Sequence, residues 1–255
     1  MASYDVVGNI AIVKFKRGVG AREKKKIALK FLKEHKSVRT FLEKTSGFSG
    51  RLRKQKTKWL AGEKTKEVLY RENDCLFRFN VDSCYFSPRL AAERVEIAKI
   101  VKRGEKVLVM FSGVGVYGIV IGKFSAAKKI VCVEISRECN KYALENVKRN
   151  KLEGKVEIVQ GDVRRVVGFR KRVSEKFDRI VMARPNLDDS FLDVAFSVIA
   201  KAGIIHYYGF YDEDDAEKMR EMIFYEALRA GKKIRILRIK RAGEVGVRRF
   251  RLRAD

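Results

Sequence analysis

The chain is short of the residues that build disulfide, metal and low-complexity proteins: its 255 residues hold four cysteines, two prolines, two histidines and one tryptophan. Cys75, Cys84, Cys132 and Cys139 show no C-x-x-C spacing, so neither a zinc site nor a disulfide framework is indicated. No run approaches the ~20 apolar residues of a membrane span, and no internal repeat stands out. The opening residues, MASYDVVGN, lack the basic and apolar regions of a signal peptide. A cytoplasmic protein with neither membrane nor metal partner is expected.

Negative charge is also scarce. Against 58 Lys and Arg stand 32 Asp and Glu, a net charge of +26. That exceeds what solubility requires and points to a polyanionic partner, nucleic acid above all. Basic blocks at 22–26, 51–58, 170–172 and 232–241 spread the charge, which favours a broad surface over a disordered arm. Adaptation to heat would enrich both signs rather than one. With 46% hydrophobic residues there is material for one large or two modest cores.

Residues 4–15 read as strands turning at Gly8-Asn9. Ile27, Phe31 and Leu32, then Val38, Phe41 and Leu42, recur at helical spacing and predict a helix over 24–42. A basic connector, GRLRKQKTKWLAGEKTKEV, follows, with Trp59 read as a packing anchor ahead of a base-stacking platform. Two short strands are expected over 67–81. These elements make residues 1–74 a small basic α+β unit for RNA and leave 75–255 for a larger domain.

From Ser87 onward helices and strands alternate, which implies a parallel sheet with right-handed crossovers. Ser87 is placed as a helix cap with Pro88 at the first helical position. Strands are expected at 107–111, 130–134, 156–160, 179–182 and 204–208. Residues 233–240 and 247–252 should close the sheet as an antiparallel hairpin.

The stretch VLVMFSGVGVYG, 107–118, is an apolar strand running into a glycine turn. Gly113 and Gly115 lack Cβ, so the turn can take positive φ and let a ligand lie against the backbone. Glu134, at the end of the next apolar run, would reach a ribose diol. Asp162, after KVEIVQG, suits an adenine amine. Phe111-Ser112-Gly113 replaces the small entry residues usual in nicotinamide proteins. Together these features resemble the S-adenosylmethionine-dependent methyltransferases of Rossmann-like α/β fold.

A second segment is CYFSPRLAAER, 84–94, where Arg89 and Glu93 fall four apart and would share one edge of a cleft on a regular helix. As a bare surface ion pair they would contribute little. With YFSPRLAAER, the MFSGVG loop, Glu134, Gly161-Asp162 and the late IIHYY, nearly the whole chain resembles the archaeal and eukaryotic tRNA (guanine-37-N1)-methyltransferase family.

That resemblance implies a mostly parallel sheet with a closing antiparallel hairpin, preceded by the small α+β domain. It implies S-adenosylmethionine as cofactor, the anticodon arm of tRNA as partner, a monomer, and no metal. Glu93 takes the place of the general base, a basic residue of the 51–54 group, Arg53 foremost, that of the arginine near guanine O6, and Arg89 joins them as catalytic. Tyr85 and Arg94 match residues beside the guanine; Phe111, Gly113, Gly115, Glu134, Asp162 and Ala183 match the cofactor wall.

Two departures stand out. The family's Asn-Leu-Pro motif reads Ala183-Arg184-Pro185, with Arg184 or Asn186 as substitutes on the guanine edge and Pro185 keeping the backbone shape. Many relatives also carry an N-terminal domain for the tRNA's outer corner, so either the anticodon arm is recognised alone or the sequence is trimmed. Alternatives remain: a wyosine-pathway enzyme, methylating C7 of a tricyclic guanine derivative, alone or bifunctionally, or transferring an aminocarboxypropyl group, and a non-catalytic RNA-binding protein. Arg89 in FSPR counts against aminocarboxypropyl transfer, where relatives carry glycine. His206 is read as structural, and Cys132 and Cys139 as core or surface residues.

Overall fold

The computed structural model describes residues 3–183, 188–212, 215–246 and 249–255. Strand β1 (Ser3–Val7) pairs antiparallel with β2 (Ile10–Lys14) across the Gly8-Asn9 turn. Helix α1 (Ala21–Glu34) then crosses over to β3 (Thr40–Lys44), which lies parallel to β2, and β4 (Thr57–Gly62) completes a four-stranded sheet.

Two expectations from the sequence are corrected by this unit. The helix predicted to residue 42 stops at Glu34, because Thr40, Phe41 and Leu42 are buried in succession, as a central strand requires. Phe41 packs toward Ala28 and Phe31 of α1, whereas Leu42 joins the core under the larger sheet. The basic connector holds β4, and its Trp59 is no anchor: the side chain is 40% exposed and the indole N–H donates to the Glu63 carbonyl at 3.2 Å.

Strands β5 (Glu67–Glu72) and β6 (Cys75–Asn80) form a hairpin, so the boundary expected at 74/75 falls inside its turn. Residues Pro88–Leu90 make a 3-10 turn before α2 (Ala91–Ile100), and Ser87 provides no side-chain cap. The alternation expected beyond it follows: β7 (Lys106–Met110), α3 (Val116–Phe124), β8 (Lys129–Glu134), α4 (Arg137–Arg149), β9 (Val156–Gln160), α5 (Val163–Val166), β10 (Phe177–Met182) and α6 (Leu192–Val198). Then come β11 (Ile199–Asp212), α7 (Ala216–Arg229), β12 (Ile239–Gly246) and β13 (Arg249–Ala254). The last hairpin exists as expected but lies several residues later, its register set by antiparallel pairing of β13 with β11.

The seven strands run in the order β12-β13-β11-β10-β7-β8-β9, with β7 to β11 parallel. Successive side chains face opposite layers: Val107 and Val109 enter the core shared with the β5–β6 hairpin, Leu108 and Met110 the core under α6 and α7. Both faces are covered, which is why these strands are unbroken apolar runs. Asn146 of α4 and Asn150, which caps its end, exchange hydrogen bonds with the backbone of Arg78 and Leu76, docking the hairpin onto that helix. The chain leaves β7 toward β8 on one side and returns to β10 on the other. Their carboxyl ends form the switch point where such sheets bind ligands.

Candidate active site

A pocket opens at that switch point, walled by the glycine loop, the ends of β8 to β11, and residues 51–53 of the small unit. The backbone bends sharply into it, with φ of +61° at Phe111 and +85° at Gly115, the N-cap of α3. Phe111 keeps its left-handed conformation against Phe191, edge to face at 5.0 Å. The third glycine of the motif, Gly118, serves packing instead: a Cβ there would stand 2.1 Å from Cys132 Sγ, so only glycine lets α3 approach β8. Burial pushes the Cys132 thiol up to about 12, which makes it an inert core residue.

Glu134 sits on the wall where the sequence places it. Its carboxylate accepts from the Gly113 amide at 2.9 Å and the Ser136 amide at 2.8 Å. Burial raises its pKa, and the backbone hydrogen bonds oppose that rise. Each oxygen retains a lone pair for a ribose hydroxyl. Asp162, also on the wall, caps α5 through the Arg164 amide at 2.9 Å and pairs with Arg51 of the small unit. Ala183 completes this end of the cavity after β10.

Two more hydroxyls lie on the wall: Ser112 Oγ is buried without a hydrogen-bond partner among the described residues, and Tyr117 Oη is buried beside Tyr208. Leaving a group such as Ser112 Oγ unpaired costs ~1–3 kcal/mol. An amino-acid moiety, a ribose diol and an adenine amine would satisfy these two hydroxyls, Glu134 and Asp162 in turn. The site therefore fits S-adenosylmethionine.

A second cleft adjoins this pocket and shares Arg53, Tyr85, Phe86 and Arg251 with it. Here Arg53, at φ +50°, lays its guanidinium over the Tyr85 ring at 4.8 Å, and Tyr85 meets Phe48 edge to face at 4.9 Å. The Arg53 Nε is buried with no partner among the described residues. Arg53 and Tyr85, expected to share a site, are thus brought together beside the cofactor pocket.

Arg89 and Glu93 are not. The 3-10 turn breaks the helical phase assumed between them, and Arg89, largely exposed, reaches Asp5 of β1 at 3.4 Å across the second cleft. Glu93 is buried instead, and it is not part of the pocket wall. Its Oε1 accepts from Tyr208 Oη at 2.7 Å and from Arg253, while Oε2 lies 3.5 Å from Lys240 Nζ. Arg94 does line the pocket, yet Glu72 holds its guanidinium in a buried two-pronged pair. It is a strut rather than a free donor. Arg184, Pro185 and Asn186 lie outside the described residues.

Sequence reasoning assigned no role to Tyr117, Tyr208 or Arg253, and offered Arg51 only within the basic group 51–54. Arg253 had a legible signal: in RFRLR, three arginines alternate along one strand, and two of them, Arg251 and Arg253, are buried. Arg253 is shared among Glu93, Glu96 and Asp255. Burial works against its charge, but Glu93, Tyr208 and Asp255 outweigh it and raise its pKa. His206, which Asp255 and Arg179 hold at 2.6 and 2.7 Å, belongs to this buried network and is structural; burial lowers its pKa despite Asp255.

Comparison with known proteins agrees with this architecture. Residues 68–245 match the TRM5/TYW2 methyltransferase domain, and residues 1–65 the TYW2 N-terminal domain. Trm5b of Pyrococcus abyssi, named a tRNA (guanine(37)-N(1))-methyltransferase, is 35% identical over 92% of this chain and 68% of its own length. Its crystal structure superposes with a TM-score of 0.86 at 33% identity, covering 99% of this chain and 73% of that one. Taw22 of Nanoarchaeum equitans, named a tRNA (guanine(37)-N(1))/4-demethylwyosine(37)-methyltransferase, is 32% identical over 99% of this chain and 98% of its own. An aTrm5 solved in complex with tRNALeu gives a TM-score of 0.83 at 29% identity, covering 99% of this chain and 70% of that one. A Rossmann-like sheet with a pocket fit for S-adenosylmethionine, and a domain match over most of its length, make this chain a member of the TRM5/TYW2 methyltransferase family.

Proposed function

We propose that this chain methylates N1 of guanosine 37 in tRNA, beside the anticodon, using S-adenosylmethionine. The observation that carries the reading is the stack of Arg53 on Tyr85 at the mouth of a pocket whose inner wall, at Tyr208, is hydrogen-bonded to Glu93. The names of the Trm5b relative and of the tRNA-bound aTrm5 support the substrate. Pyrococcus abyssi and Nanoarchaeum equitans as sources of relatives support an archaeal, heat-adapted origin.

Guanine N1 carries a proton at neutral pH and is a poor nucleophile until that proton leaves. Glu93 receives it. As it departs, negative charge grows on O6, and a guanidinium placed there stabilises the transition state more than the ground state. Arg53, with a buried unpaired Nε, is the group suited to that role. The base must leave its loop to enter, and Tyr85 and Phe48 offer aromatic faces in the cleft. Ser112, Tyr117, Glu134 and Asp162 hold the cofactor along a wall that Phe111, Gly113, Gly115 and Ala183 shape. When bound, S-adenosylmethionine supplies an electrophilic methyl group on a sulfonium.

A second activity, methylation of 4-demethylwyosine at the same position, is favoured by one observation: the chain spans 98% of the length of Taw22. Nucleoside mass spectrometry decides both. Transcripts with G or A after the anticodon are incubated with deuterium-labelled cofactor, alongside tRNA carrying 4-demethylwyosine. Labelled 1-methylguanosine from the G but not the A transcript is expected, and label in the 4-demethylwyosine tRNA supports the second activity while its absence removes it; label in the A transcript, or none in either transcript, contradicts the main assignment.

A further inference from the structure

Tyr208 stands between the pocket and the carboxylate assigned as base. It lines the pocket, which Glu93 does not, and its Oη donates to Glu93 Oε1 at 2.7 Å. Glu93 is otherwise enclosed: Arg253 also donates to Oε1, and Lys240 faces Oε2 at 3.5 Å. A base that approaches Glu93 from the pocket side meets Tyr208 first. We propose that Tyr208 is a further catalytic residue, whose hydroxyl accepts the N1 proton of the target guanine while handing its own proton to Glu93. The proposal rests on the methyl-transfer reading above.

The step balances without any additional reactant. The N1–H bond breaks and its electron pair stays on N1, where it becomes the nucleophile. The proton bonds to Tyr208 Oη; the original Oη–H bond breaks, and that proton ends on Glu93 Oε1. Tyr208 is neutral before and after, while the carboxylate becomes a carboxylic acid. Burial first, then the neighbouring Tyr117 and Glu93, push the Tyr208 pKa well up, so a free tyrosinate does not form and the two transfers must be coupled. Arg253 and Lys240 keep the receiving carboxylate in place beside the phenol.

The test uses the full chain and a G37 transcript in single turnover. Tyr208→Phe removes only the hydroxyl: the methylation rate should fall about 100-fold or more, with cofactor affinity, tRNA affinity and thermal midpoint unchanged. A proton inventory of the wild type in mixed H2O and D2O should be curved, since two protons move together. If Tyr208→Phe destabilises the chain, 3-fluorotyrosine at position 208 keeps the shape and makes the phenol more acidic; a changed rate is then expected. Wild-type turnover by Tyr208→Phe, or an unchanged rate with fluorotyrosine, while Glu93→Gln is inactive, overturns the relay and leaves Glu93 as a direct base. Wild-type turnover by Glu93→Gln overturns both. A linear inventory also contradicts the relay.

Discussion

At the scale of single residues, chemistry at this site depends on which polar groups are left unpaired. Most charged side chains here are already matched, as Arg94 is by Glu72 and Arg164 by Asp189 and Asp193. Ser112 Oγ and Arg53 Nε are exceptions among the described residues, and both residues line one pocket. Arg53→Met keeps most of the apolar contact with Tyr85 and removes the guanidinium. The methylation rate should drop about 100-fold, with cofactor affinity by calorimetry unaltered. A rate within a few-fold of wild type would remove Arg53 from the O6 position. Arg51 differs: its pair with Asp162 is largely exposed, and such pairs contribute ~0–1 kcal/mol.

At the scale of elements, α2, β12 and β13 are clamped by one cluster of charge, buried at Glu93 and Arg253 and open to solvent at its rim. Glu93 and Glu96 of α2 meet Lys240 of β12 and Arg253 of β13, with Asp255 and Arg238 closing the ring. For Glu96 burial raises the pKa, but hydrogen bonds from Lys240 and Arg253 outweigh it and pull the carboxyl down to about 2. Asp255 is likewise held well below the ordinary range, burial being overcome by His206, Arg238 and Arg253. Both folded values are depressed, so their stabilisation is complete above the unfolded carboxylate range near pH ~4 and is lost as pH falls toward about 2. The thermal midpoint should therefore fall steeply between about pH 4 and pH 2, and Arg253→Met should blunt that dependence. A midpoint equally pH-dependent in the variant would show that the cluster is not responsible.

The elements also show what a sequence reveals. Strands β7 to β10 were legible because burial on both faces writes them as continuous apolar runs, and the glycine turn places Glu134 and Asp162 without further information. Strand β3 was not, since Val38, Phe41 and Leu42 satisfy a helical spacing while Phe41 and Leu42 serve opposite faces. The spacing of Arg89 and Glu93 misled for a different reason, because a 3-10 turn advances the chain by a different angle than an α-helix. That Glu93 lies behind Tyr208 rests on a hydrogen bond between residues 115 apart in the chain, a long-range contact no local pattern records.

At the scale of the molecule, the charge of +26 and the two joined clefts must act together on one large anion. Binding of tRNA should weaken by about tenfold or more between 50 and 200 mM salt through counterion release, as measured by filter binding; a flat response would rule out a phosphate-tracking surface. Catalysis asks more, because Arg53 and Tyr85 flank the cofactor pocket from one side and Glu93 is reached through its inner wall. The most direct measurement is single-turnover methylation of a G37 transcript by the intact Glu93→Gln chain at saturating cofactor. Loss of at least about 100-fold in rate, with tRNA and cofactor affinities preserved, is the expected result. Turnover at the wild-type rate would contradict proton removal by this carboxylate.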